Sequence, residues 1–111
     1  MGKNSSTAKT VRVENVAQPG KLYPVDAAKF VSMRAILLKV ITVKPPGMTV
    51  AELHVAIDKE IAESGFAGEP SKSGWWMKAV QLDLEAKKII ARTKTSPLRL
   101  YKLSTEGENN V

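Results

Sequence analysis

The apolar residues of this chain change their spacing near Lys88, and that change limits the architectures open to it. Upstream, apolar side chains recur about every 3.6 residues, as on one stripe of a helix. Downstream they alternate, as on one face of a strand. A segment with one period cannot bury its apolar face in the other conformation. The spacing therefore predicts helices first and a C-terminal pair of strands after them.

Local signals place three helices. Asp26 is a good N-cap for a first helix running to about Thr42. Phe30, Met33, Leu37, Val40 and Ile41 form its core stripe; Val31, Ala35 and Leu38 widen it and predict packing on more than one side. Lys44-Pro45-Pro46-Gly47 forces a loop. Thr49-Val50-Ala51-Glu52 then reads as a capping box, with Met48 placed to staple toward Leu53. Val50, Leu53, Ile57 and Ile61 share one face of this second helix, Gly65 fits the left-handed position beyond its end, and Phe66 supplies an apolar contact outside it. A turn-rich connection, Phe66 to Lys72, leads to a third helix capped by Ser71 or Ser73 and ending near Lys87 or Lys88. Trp76, Val80 and Leu84, with Met77, form one line; Trp75, Ala79, Leu82 and Ala86 form its neighbour, a surface wide enough to need two partners. Ile89–Arg92 and Leu98–Leu103 read as strands joined by residues 93–97, with Leu98 and Leu100 inward and Arg99 and Tyr101 outward.

The 111 residues suit one domain with a real core. Residues 1–25 are expected to be a flexible arm, partly packed: Val11-Arg12-Val13 makes a short extended contact, Gln18-Pro19-Gly20 turns, and Val16, Leu22, Tyr23 and Val25 wrap against the domain. Residues 26–103 are the domain, and 104–111 a disordered tail. The absence of cysteine excludes disulfides and thiolate chemistry. No apolar run approaches the ~20 residues that span a bilayer, and the N-terminal residues lack the apolar core of a signal peptide. The net charge of +6 is uneven: residues 66–103 carry eight basic and three acidic side chains. Such a field attracts phosphate backbones or another acidic partner, and otherwise serves solubility.

Three helices followed by a basic hairpin resemble the order of a winged-helix domain. The junction Leu84-Glu85-Ala86-Lys87-Lys88-Ile89-Ile90-Ala91-Arg92 is similar to the passage from recognition helix to first wing strand in that superfamily, although many members have glycine where Lys88 stands. The Phe66–Lys72 connection exceeds the 3–4-residue turn of a compact helix-turn-helix. The expected fold class is α+β, a winged helix with a three-helix core followed by a C-terminal two-stranded β-hairpin wing. A closer resemblance, to a small bacterial family of uncharacterised winged-helix-like proteins, rests on Glu14-Asn15, Pro19-Gly20-Lys21, Val25-Asp26-Ala27-Ala28-Lys29, Met33-Arg34, Pro46-Gly47, Gly74-Trp75-Trp76, Lys78, Val80–Lys87 and Pro97-Leu98-Arg99. It implies a bacterial source and a cytoplasmic location, and carries no assigned activity.

Catalytic equipment is sparse. The single histidine, His54, lies on the second helix, where His54 and Asp58 can bond across one turn without making a metal site. Glu60 and Glu63 read as solvated surface, and no phosphate loop, zinc signature or nucleophile elbow occurs. The expectation is a protein that is not an enzyme and uses no cofactor. Double-stranded DNA is the leading partner, as for a regulator or accessory protein: a helix reads base edges while lysines and arginines meet phosphates. Lys72, Ser73, Lys78 and Gln81 on the third helix, and Arg92, Lys94, Arg99 and Lys102 in the hairpin, are the expected contacts. Asp83 and Glu85 oppose this reading if they face the duplex. The alternative is a protein-interaction or dimerisation module without DNA binding. Trp75 and Leu82 are then the interface residues, because adjacent helix positions diverge by ~100° and only one of Trp75 and Trp76 need face the core.

Overall fold

A computed structural model describes residues 10–15, 17, 18 and 20–103. The disordered ends expected before residue 10 and after Leu103, and Val16 and Pro19 of the arm, lie outside the described residues.

The first element among the described residues is a hairpin, which the apolar spacing does not predict. Strand β1, Thr10–Glu14, pairs antiparallel with β2, Leu22–Asp26, in the register Val11 to Val25 and Val13 to Tyr23. Alternation sends Val11, Val13, Tyr23 and Val25 to one face, and Val13 and Val25 are buried in the main core. Pro24 sits in β2 with only β1 as neighbour, a two-stranded edge where a missing N–H is tolerated. The Glu14 N–H donates to the buried Asp83 carboxylate at 2.8 Å and ties the hairpin to the third helix.

Helix α1, Ala27–Val40, begins at Asp26, whose side chain accepts the Lys29 N–H as expected of the cap. Phe30, Met33, Ile36, Leu37 and the following Ile41 are buried. Of the widening positions, Val31 is 58% exposed and Ala35 is also exposed, while Leu38 is partly buried against the core, and the helix packs on both other helices and on the N-terminal hairpin. Strand β3, Met48–Thr49, follows, and Thr49 also caps α2, Val50–Ser64, through the complete capping box with Glu52. Leu53, Ile57 and Ile61 face the core, and Lys39 on α1 pairs with Glu60 on α2 at 2.7 Å. Gly65 ends α2 at φ 88° with its N–H on the Ile61 carbonyl, a backbone conformation that favours glycine.

The Phe66–Lys72 connection is anchored. Phe66 packs on the core, the Ala67 N–H donates to Ser32 on α1, and Pro70–Lys72 form a 3-10 turn that runs into α3, Ser73–Ala86. Neither Ser71 nor Ser73 caps α3 with its side chain, contrary to expectation. Past α3, β4 (Ile90–Thr93) and β5 (Arg99–Lys102) form the expected hairpin, with Leu100 fully buried. The short β3 adds to its free side, giving the sheet order β3-β5-β4. Gly47 makes this pairing sterically feasible: at φ 91°, a Cβ there would collide with the Leu100 carbonyl.

The architecture is a small mixed α+β globule with three helices and two small antiparallel sheets. The expected order of helices and then hairpin is incomplete, because strands also precede α1 and separate α1 from α2.

Candidate nucleic-acid interface

Helix α3 turns three different surfaces to its surroundings. Trp76, Met77, Val80 and Leu84 enter the core. Ser71, just ahead of the helix, and Trp75, Lys78 and Leu82 follow at steps of four, three and four residues. Ser71, Trp75 and Lys78 are exposed and Leu82 is half-buried. Gln81 and Glu85, one turn apart, form a third line that is polar and buried, and Asp83 is buried on another side of the helix.

That burial reverses the role expected of the two acids. The Glu85 side chain is 4% exposed and takes two hydrogen bonds from Arg92 on β4, at 2.6 and 2.9 Å, and a third from the Gln81 amide at 2.9 Å. The bonds from Glu85 raise the Arg92 pKa, burial offsets part of that rise, and charge attraction adds to it. Asp83 accepts from Lys87 and from the Glu14 N–H. Glu85 is thus paired with Arg92, and Asp83 shares Lys87 with Glu14; both Asp83 and Glu85 are buried, so neither carboxylate is displayed at the surface.

The same network removes several expected contacts. Gln81 is 3% exposed, with its amide bonded to Glu85, so it cannot reach a base edge. Arg92 is committed to Glu85. Arg99 donates to the Gly47 carbonyl at 2.9 Å and lies 3.7 Å from Glu52. Ser73 is 3% exposed and spends its hydroxyl on Asp58. Lys72, Lys78 and Lys94 remain exposed and Lys102 half-buried. Among the described residues the ion pairs include none from Lys78, Lys94, Lys102 or the neighbouring Lys88, while Lys72 has only a 3.7 Å contact with exposed Glu69. The eight expected DNA contacts thus do not form one free set. Of the expected interface pair, Trp75 is 58% exposed; its ring centroid lies 4.8 Å from that of core-anchored Trp76, with the planes inclined at 78°.

A groove of about 840 Å³ opens at the start of α3, lined among others by Lys29, His54, Asp58, Lys72, Trp75 and Trp76. Sequence reading saw the His54–Asp58 spacing but not Ser73 beside it, since the contacts span 15 and 19 residues. Ser73 Oγ donates to Asp58 Oδ1 at 2.7 Å and lies 3.1 Å from His54 Nε2, which is 3.5 Å from Asp58 Oδ2. With its proton on Asp58, the serine oxygen is left to accept from His54. A nucleophilic serine needs the opposite wiring, donating to an imidazole whose other nitrogen is held by the acid. The cluster pins the start of α3 to α2 instead.

Among the described residues, no three His, Cys, Asp or Glu side chains gather as a metal site, and no helix is long and apolar enough to cross a membrane. Residues 10–100 match a family described as a family of unknown function, DUF6958. No curated protein and no solved structure matches the chain.

Proposed function

This chain belongs to the family of unknown function DUF6958, and we propose that it is a non-catalytic winged-helix protein that binds duplex DNA through phosphate contacts, as a regulator or accessory factor. The observation that carries this reading is that Asp83 and Glu85 are buried and bonded within the molecule instead of displayed at its surface. It leaves Lys72, Lys78, Lys88 and Lys94 as the exposed charges of α3, its C-terminal junction and the hairpin. The order α1-β3-α2-α3-β4-β5, with β3 added to the hairpin, supports the winged-helix reading by analogy. Burial of Gln81 and engagement of Arg92 and Arg99 favour backbone contact over base reading. Donation of the Ser73 hydroxyl to Asp58, and not to His54, supports a non-catalytic reading. The resemblance to a bacterial family supports a bacterial, cytoplasmic setting.

Titration with mixed-sequence duplex DNA at ~50 and ~200 mM salt tests this reading. Binding is expected at the lower salt, with affinity falling steeply as salt rises, by a log–log slope of about −3 to −4 for four lysine contacts. Lys78→Glu and Lys94→Glu should each weaken binding and flatten the slope. Absence of binding at the lower salt, with protein up to ~100 μM, overturns it, because nonspecific DNA affinities lie at about 10⁻⁴–10⁻⁶ M even at physiological salt.

One observation favours a second reading, a protein interface: Trp75 and Leu82 share the outward stripe of α3. It requires concentration-dependent self-association, or a copurifying partner, that Trp75→Ala abolishes.

A further inference from the structure

We propose that the groove at the start of α3 binds a nucleotide-like anion, with a planar ring against Trp75 and a phosphate between Lys29 and Lys72. The proposal does not need the hairpin lysines or duplex binding.

Trp75 is the first ground. More than half of its surface is in water, yet its ring packs in a near-perpendicular pair with Trp76, which is only 8% exposed. An indole braced against the core offers a stacking surface at little further cost in side-chain order. Every nucleobase has a π-face, so such a platform selects for planarity before base identity.

Charge is the second ground. Lys29 is half-buried in the groove wall, and among the described residues it makes no ion pair; Lys72 has only the long contact with Glu69. The one carboxylate lining the groove, Asp58, accepts from Ser73 at Oδ1, and its Oδ2 lies 3.5 Å from His54 Nε2. Two ammonium groups against one carboxylate leave the groove lining with an excess of positive charge, and that balance attracts anions. Size agrees: about 840 Å³ lies within the ~300–1,000 Å³ of small-molecule sites. Inorganic phosphate would use the lysines without the indole, and a base-paired duplex keeps its rings stacked away from it. A phosphate joined to an exposed base uses both. That chemistry has two sources, a free nucleotide or an unpaired nucleotide within a strand.

The full chain should be titrated with AMP, with a single-stranded oligonucleotide and with inorganic phosphate, following tryptophan emission and the indole N–H signals. AMP or the oligonucleotide is expected to quench Trp75 and shift its indole signal, at concentrations at least ~10-fold below those at which phosphate acts, as ring stacking requires. Response to AMP identifies a free nucleotide as sufficient; response to the oligonucleotide alone identifies a strand. Trp75→Leu should weaken binding ~10-fold or more, with the Trp76 signal reporting an intact fold. Lys29→Met should also weaken it. No response to AMP up to ~10 mM or to the oligonucleotide overturns the proposal. So does phosphate acting as well as AMP, or a folded Trp75→Leu that binds like the parent chain. Loss of duplex binding with retained nucleotide binding would sink the proposed function and leave this site standing.

Discussion

Lys88 stands at φ 64°, the one non-glycine residue at positive φ among the described residues. It follows the end of α3, and its N–H closes on the Glu85 carbonyl while the Ile89 N–H closes on Leu84. A side chain with a Cβ is strained there, which is the physical reason glycine suits this junction. Lys88→Gly should stabilise the protein by ~0.5–1 kcal/mol, relieved strain outweighing added unfolded-state entropy. Equal or lower midpoints in urea unfolding would contradict this. Single residues also show which local signals survive folding. The Thr49–Glu52 box and the Asp26 cap were legible because both partners lie within three residues. Ser73 was not, because its hydroxyl had a competing acceptor, Asp58, on another helix.

Among elements, α3 shows the reach and the limit of periodicity. The spacing of Trp76, Val80 and Leu84 located its core face correctly. It gave no sign that Gln81, Asp83 and Glu85 would be buried too, because a burial pattern inferred from apolar residues counts every polar one as solvent-facing. Their burial depends on partners from β1 and β4, which bring Glu14 and Arg92 to them. Arg92→Met would leave the Glu85 carboxylate buried with only Gln81 as a hydrogen-bond partner. We expect a loss of about 2–3 kcal/mol in chemical denaturation, below the upper range for a broken buried pair because Arg92 is itself 37% exposed. Replacing both, as Glu85→Met with Arg92→Met, should recover much of that loss. If the single variant is neutral, the network does not hold the hairpin. The N-terminal hairpin was missed for a related reason: its strands show only two inward positions each, and Pro24 reads as a break unless the strand is known to lie at an edge.

For the whole molecule, the decisive finding is that the N-terminal strands share the core of the helices. Val13 has no exposed surface and clusters with buried residues from α1, α2 and α3. Val13→Ala should therefore cost about 2 kcal/mol and lower a single cooperative transition. A change below ~0.5 kcal/mol, the range of surface substitutions, would mean the hairpin is only loosely attached. Charge follows the same logic. The surplus after residue 66 was legible from composition, but its outward distribution depended on which lysines and arginines found carboxylates within the fold.

The three helices, their boundaries near Asp26, Thr49 and Ala86, the change to strands beyond Lys88 and the cationic surplus are all written locally in the chain. Those features arise from repeating periods and neighbours a few residues apart. Only the tertiary structure decided that Trp75 faces water, that Asp83 and Glu85 turn inward, and that Ser73 joins His54 and Asp58 beside a groove. Each of those outcomes depends on a partner delivered by a distant segment, and burial or ion pairing has no local counterpart in the chain until that partner arrives.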